Sequence, residues 1–350
     1  MPNLRRLERA CAQLTVDACI IDHPIDIYYL TGLDLSQGRL ILFKHQPPVL
    51  CVDGRYEEVC HQQTTIAVKR WEGREALPVD LPETVGFDAV TTTYAHYETL
   101  RTLVHGTLVP LHRPLAAQRM IKDAHEIAVL TQAAALGSAG YDHVLTCLQE
   151  GISEREVACA LEVFWLQHGG EGLAFAPIIA FGENSSKPHH RASTRTLRQG
   201  DVVLIDIGVR QQHYHSDMTR VVYFGLPSPR IQGLYDRVMH AMHVALALCR
   251  PGVAVGAIDA AVRTLIESWG YPFVHSLGHG IGLDVHEPPR LRTGIPDATD
   301  LLQPGMVLTI EPGIYLPGEG GVRLEDTICI TSSGYVSLTQ RPFVLCDQKS

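Results

Sequence analysis

No run of 18 apolar residues occurs anywhere in the chain, so no segment is expected to cross a membrane as a helix. There is no Cys-x-x-Cys pair either. The nine cysteines are irregularly scattered, several in apolar settings such as Ala18-Cys19-Ile20-Ile21. Such an odd set excludes a disulfide frame and fits reduced, mostly buried thiols. Basic residues are in deficit, 29 Lys and Arg against 38 Asp and Glu, giving a formal charge of −9. That balance argues against nucleic acid or an anionic membrane as a partner. The N-terminus, Met-Pro-Asn-Leu-Arg-Arg, is charged through its first turns and lacks the apolar core of a signal peptide. These absences together lead us to expect a cytoplasmic protein.

What is present suits a globular chain with a substantial core: 45% apolar and 19% charged residues. A length of 350 residues favours two domains. Residues 1–115 alternate short helical and strand patterns, as in Ala18–Ile21, Leu40–Phe43 and Val49–Val52, which predicts an α/β domain with a partly parallel sheet. Residues 116–350 read differently. A long amphipathic helix begins after Asp123, with Leu136-Gly137 as a point of interruption, and a second helix follows the Ser153-to-Glu156 capping box. Then come a hairpin, helices near 228–249 and 255–269, a His- and Gly-rich segment and another hairpin. Helix pairs alternating with two similar hairpins hint at an internal pseudo-twofold.

Both hairpins are acidic at positions that should be buried. Asp206 ends the apolar run Val202–Ile205, and Asp217 opens the next strand. With a turn centred between Gln211 and Gln212, the two would lie opposite each other. Glu311 and Glu325 are likewise symmetric about Gly318. Facing carboxylates repel and are costly to bury charged, so the pattern predicts neutralisation by cations. With His279 they form a ligand set for hard or borderline divalent ions: Mn²⁺, Co²⁺, Fe²⁺ or Zn²⁺. Four negative charges exceed what one such ion balances. Two ions sharing carboxylates balance them, and a water between two such ions becomes a nucleophile. The expected chemistry is metal-assisted hydrolysis. His213 and His215 share a strand face beside Asp217. A ligand role and a solvated turn both fit them, the hairpin tip favouring the turn. The glycines at 278, 280 and 282 lack the strand–GxGxxG–helix context of a phosphate loop. They are expected to let backbone approach the site closely.

Four segments, Ile205-Asp-Ile-Gly208 to Tyr214-His-Ser-Asp-Met-Thr-Arg220, Gly278-His-Gly-Ile-Gly-Leu-Asp-Val-His-Glu287, Thr309-Ile-Glu-Pro-Gly-Ile-Tyr315 and Gly321-Val-Arg-Leu-Glu-Asp326, resemble the motifs of the pita-bread metallopeptidases. More narrowly, they resemble the Xaa-Pro aminopeptidase and prolidase branch, along the whole chain. The resemblance implies a creatinase-like N-terminal α/β domain followed by a pita-bread catalytic domain with an antiparallel sheet and pseudo-twofold helix pairs. It implies two divalent ions, manganese foremost, on Asp206, Asp217, His279, Glu311 and Glu325, with Asp217 and Glu325 bridging. Glu311 would also shuttle a proton to the leaving proline nitrogen. His286 would contact the scissile carbonyl or its oxyanion. His189, selected over the adjacent His190 by the family's Pro-His pattern, would bond substrate on the leaving-group side. Arg323 would orient the acidic cluster, and His275 would line the proline pocket. Proline-containing peptides are the implied substrates and a homodimer the implied assembly. Arg290 is a candidate for binding a dipeptide's carboxylate. Two alternatives share this architecture: a metal-free creatinase-type amidinohydrolase and a non-catalytic binding protein. Neither needs the full ligand set.

Overall fold

The computed structural model describes residues 2–72, 77–295 and 300–343, and the chain divides into two compact units, Met1–Arg119 and Met120–Ser350. The first unit runs α1 (Pro2–Ala12), β1 (Ala18–Ile21), α2 (Pro24–Thr31), β2 (Arg39–Phe43), β3 (Val49–Val52), α3 (Glu57–Gln63), β4 (Ala67–Arg70), β5 (Thr84–Asp88), α4 (Tyr94–Leu103), β6 (Thr107–Leu111) and α5 (Ala116–Met120). Its strands form one sheet in the order β4-β3-β2-β1-β5-β6. The pairs β1–β5, β5–β6 and β3–β4 are parallel, while β1–β2 and β2–β3 are antiparallel. Every residue of β1 and β2 is buried, as expected of a central pair covered on both faces.

The second unit opens with α6 (Ala124–Cys147) and α7 (Glu154–Gln167). Both start in capping boxes, Asp123 with Glu126 and Ser153 with Glu156. The expected break at Leu136-Gly137 does not occur; α6 is continuous. Its glycines serve packing instead: a Cβ on Gly137 would lie 2.8 Å from Ser216 Oγ, and one on Gly140 2.3 Å from Trp165 Nε1. Close approach of neighbours offsets the roughly 1 kcal/mol that a helix-interior glycine costs.

Next come β7 (Gly172–Leu173), β8 (Ile178–Phe181), a 3₁₀ turn (Gly182–Ser186), β9 (Asp201–Ile207), β10 (Val209–Gln211), β11 (Tyr214–His215) and β12 (Met218–Phe224). They pair as β12-β9-β8 and β11-β10-β7. Helices α8 (Pro229–Leu248) and α9 (Val255–Ser268) follow, then β13 (Gly278–Gly280), β14 (Glu287–Leu291), β15 (Val307–Ile310), β16 (Gly313–Leu316), β17 (Gly320–Arg323), β18 (Asp326–Ile330) and β19 (Tyr335–Ser337). The last group forms a sheet in the order β14-β13-β15-β18-β19 and a two-stranded ribbon β16-β17. Strand β9 is buried on both faces. Val203, Ile205 and Ile207 join the core under α6 and α7, whereas Val202 and Leu204 join the core under α8 and α9. That explains its uninterrupted apolar run, which Asp206 alone breaks.

The first acidic hairpin differs from expectation in register. Its turn is Gln212-His213, both with positive φ (47° and 65°), as tight hairpin turns matching strand twist require. Asp206 therefore faces Thr219, not Asp217. The slip is two residues, so the face is unchanged: Asp206, Thr219 and Asp217 stay on one side of the sheet, the carboxylates as diagonal neighbours. The second hairpin is symmetric about Gly318. Ile310 pairs with Asp326, and Gly313 with Arg323. Between these rungs a single cross-strand bond remains, from Leu324 N to Pro312 O (3.2 Å). Pro312 has no N–H to give, Glu311 N donates to Leu277 O (2.8 Å), and Glu325 N to Thr219 O (3.1 Å). Glu325 is thereby stitched to the first hairpin.

Candidate metal centre

Both hairpins deliver their acids to one buried locus. Asp217, His279 and Glu325 offer ligand atoms that all lie within 4.8 Å of one another. His279 Nε2 stands 3.7 Å from Asp217 Oδ2 and 3.7 Å from Glu311 Oε1. The second nitrogen of this ring, Nδ1, is 3.1 Å from Gly280 O, a pure acceptor, so Nδ1 carries the proton. Burial and the neighbouring His286 push the pKa of His279 down to about 4. The ring is then neutral above mild acidity, with an unprotonated Nε2 facing two carboxylates. An imidazole nitrogen lone pair and two carboxylates converging on one buried point are a donor set that fits a cation.

The carboxylates give the same result. Burial, with Glu325, Asp206 and Glu311 nearby, raises Asp217 well above the ordinary carboxylate range. Burial and Glu325 raise Glu311 in the same way. Glu325 is pushed up to about 8, by burial first and Asp206 next. Thr219 Oγ1 donates to Glu325 Oε2 (2.7 Å) and in turn accepts from Arg323 Nε (3.2 Å). Arg323 also donates to Asp206 Oδ2 and, through Nη1, to the hydroxyl of Tyr315 (2.8 Å). Asp206 thus sits against a guanidinium at the edge of the cluster, coupled by charge to Asp217 and Glu325.

His279 lies on β13 between Gly278 and Gly280, where any Cβ would collide: with Thr309 O at 2.0 Å for the first and Pro288 O at 2.2 Å for the second. The two glycines let the flanking segments close on the imidazole. The edge of one imidazole meets the face of the other in the His279–His286 pair, with ring centroids 4.4 Å apart and planes at 76°. His286 itself is exposed, and its pKa is lowered by partial burial and by Arg290. Arg290 is opposite His279 in the β13–β14 ladder and exposed. His189 is also exposed.

His275 is engaged at both nitrogens: Nδ1 donates to Ser276 O (2.8 Å), and Nε2 accepts from the Tyr315 hydroxyl (2.9 Å). It can border a pocket with its carbon edge but has no N–H left for substrate. His190 Nε2 donates to Glu154 Oε2 at 2.8 Å, which separates it from His189. His213 sits in the hairpin turn. His215 departs from the solvated-turn expectation: it lies on β11, partly buried, and both its backbone N and its Nδ1 approach Gly282 O, at 2.9 and 3.2 Å. Thr219 and Tyr315 went unread in the sequence. The signal for Thr219 was its place two residues after Asp217 on the same strand face. Tyr315 offered none, since its contacts cross between elements.

Known proteins are similar to this chain in sequence and in fold. The profile of metallopeptidase family M24 matches residues 128–332, and that of the creatinase/prolidase N-terminal domain matches residues 3–121. The Xaa-Pro dipeptidase of Pyrococcus furiosus is 33% identical over 342 residues, covering 96% of this chain and 97% of its own. The solved Xaa-Pro dipeptidase from Bacillus anthracis superposes with a TM-score of 0.90 at 31% identity, over 98% of each chain. The X-Pro aminopeptidase from Thermotoga maritima gives 0.86 at 28% identity, over 96% of this chain and 99% of that one. With both profiles matched and the acidic cluster inside residues 128–332, this chain belongs to metallopeptidase family M24.

Proposed function

We propose that this protein is a metal-dependent peptidase that hydrolyses the bond between an N-terminal residue and a following proline. Asp206, Asp217, His279, Glu311 and Glu325 would hold two divalent ions, with manganese the first candidate. The observation that carries this reading is the cluster of facing acceptors: His279 Nε2 at 3.7 Å from two carboxylates whose pKa values burial has raised. Divalent ions bound there would supply Lewis acidity toward a scissile carbonyl and lower the pKa of water.

The protein's own groups do the rest. Glu311, 3.7 Å from His279 Nε2, takes the proton that water loses and delivers it to the proline nitrogen. That nitrogen is a tertiary amide without a hydrogen of its own, so it leaves only when protonated. His286 is exposed beside the cluster and donates to the carbonyl oxygen as negative charge develops on it. His189 bonds the leaving-group side of the substrate. Arg323 holds Asp206 and, through Thr219, Glu325 in place. His275 and Tyr315 form a fixed wall for the proline ring. Two names among the relatives, dipeptidase and aminopeptidase, differ in whether a free proline carboxylate is required. The exposed guanidinium of Arg290 beside His286 favours the dipeptidase reading.

The test is a comparison of alanyl-proline with alanyl-alanine as substrates for chelator-stripped protein, before and after reloading with Mn²⁺, Co²⁺ or Zn²⁺. Activity should appear only on reloading and only with alanyl-proline. Full activity in stripped protein, or equal turnover of both dipeptides, would overturn the reading.

A further inference from the structure

The carboxylate of Glu154 lies at the first turn of α7, away from the acidic cluster, and is completely buried. Its Oε1 accepts from Phe181 N (2.9 Å) and Asn184 Nδ2 (2.9 Å). Its Oε2 accepts from His190 Nε2 (2.8 Å), Ser193 N (2.9 Å) and Ser193 Oγ (2.6 Å). Five donors converge on one side chain, and all five come from the segment 181–193. Burial alone would raise its pKa, but these bonds outweigh burial and hold it below the usual glutamate range.

That segment carries His189. The residue before it is held by Arg323, whose Nη1 reaches Pro188 O at 3.4 Å. The residue after it is held by Glu154 through His190. The exposed His189 is therefore bracketed by two anchored neighbours, one tied to the guanidinium that binds Asp206 and the other to a buried carboxylate of α7. A helix-initial glutamate ordinarily serves the capping region and the helix dipole. Here the capping box is formed by Ser153 and Glu156, which leaves Glu154 to the loop.

We propose that Glu154 is the positioning residue for His189: by gathering Phe181, Asn184, His190 and Ser193 on one carboxylate, it fixes the loop that presents His189 to substrate. The proposal rests on the function given above, and its test separates the two. The physical reason is pre-organisation: a side chain that meets substrate contributes in proportion to how well its backbone is held.

The experiment is a double-mutant cycle on the metal-loaded, full-length protein with alanyl-proline, pairing Glu154→Gln with His189→Ala. Glutamine preserves size but turns one acceptor into a donor that faces donors. Glu154→Gln is expected to lower kcat/KM by about tenfold in the native background and by less than about twofold in the His189→Ala background. Manganese content should be unchanged, since Glu154 touches no member of the acidic cluster. His190→Gln, which keeps a donor toward Glu154, should retain activity that His190→Leu loses. Should Glu154→Gln not yield folded protein, His190→Leu and Ser193→Ala carry the same cycle. Losses that multiply fully in the double variant would overturn the positioning role while leaving the peptidase reading intact. A His189→Ala variant with native kinetics would remove the role given to His189 under the proposed function, and this proposal with it.

Discussion

Arg323 and Asp206, 117 residues apart, share a buried charge-assisted hydrogen bond that ties the second acidic hairpin to the first. The same guanidinium serves Thr219 Oγ1 and the Tyr315 hydroxyl. Its replacement leaves an uncompensated carboxylate and two hydroxyls without their donor, in a site where Arg323 is only 3% exposed. Losing one partner of a buried pair costs about 3–5 kcal/mol. Arg323→Met should lower the unfolding free energy of the metal-free protein by that order in urea titrations, and added Mn²⁺ should recover part of it. A change below about 0.5 kcal/mol, the range of ordinary surface substitutions, would show that the bond is incidental.

The raised carboxylates give the metal-free protein an unusual pH dependence. A carboxyl whose folded pKa is about 8, as for Glu325, keeps its proton in the native state after the unfolded chain has released it near pH 4.3. The native state then binds more protons, so stability falls as pH rises through that window. The neutral imidazoles of His275 and His279, lowered to about 4, act in the opposite sense between roughly pH 4 and 6.5. Above about pH 6.5 only the carboxylates remain. In chelator, the urea midpoint should therefore fall from pH 6.5 to 8. With Mn²⁺ present the fall should vanish or reverse, because ions bind the deprotonated ligands. A chelated protein that gains stability across this interval contradicts the buried-acid account.

How much of this was legible depends on the kind of signal. Asp206 stands out because one charge interrupts an apolar run buried on both faces, and strand periodicity carries its face to Asp217 even under a two-residue slip. Gln212-His213 lacks the Gly, Asn or Asp that marks a tight hairpin turn, so the sequence carries no local signal for the turn centre. Gly318, with φ +80°, marked the second turn plainly. Gly137 read as a helix break because its purpose, room for Ser216, is a tertiary contact that local propensity does not contain. Glu154 resembled any helix-initial acid, since its five donors arrive from a segment about thirty residues downstream.

Arg220 is the second buried guanidinium to act on Glu325, through its main chain. Its Nη1 donates to Glu325 O and to Thr219 O, and its Nη2 to Arg341 O, while Phe343 stacks over it at 4.1 Å. Arg220→Met should cost about 3 kcal/mol or more, from carbonyls left without donors, and should weaken Mn²⁺ binding measured by calorimetry. Arg341→Ala is the control. Its ion pair with Asp142 is partly exposed, 34% and 48% for the two side chains, so solvent screening limits its loss to under about 1 kcal/mol. Equal losses from the two variants would mean that the interior clamp contributes nothing beyond an ordinary surface pair.

A carboxylate-binding role for Arg290 would show in the dependence on substrate length. Opposite His279 in the ladder, with its charge lowering both His279 and His286, its guanidinium stands at the rim of the acidic site. A proline carboxylate placed there would gain a charge-assisted, bidentate contact, which a tripeptide, whose carboxylate lies one residue further on, cannot make in the same place. Arg290→Ala should therefore raise KM for alanyl-proline by about tenfold or more, equivalent to about 1.4 kcal/mol, and change KM for alanyl-prolyl-alanine by less than about twofold. kcat for the dipeptide should hold if the contact is equally strong in the ground and transition states. Equal effects on the two substrates would remove Arg290 from carboxylate recognition and shift the reading to an aminopeptidase, for which the chain beyond proline is free to extend.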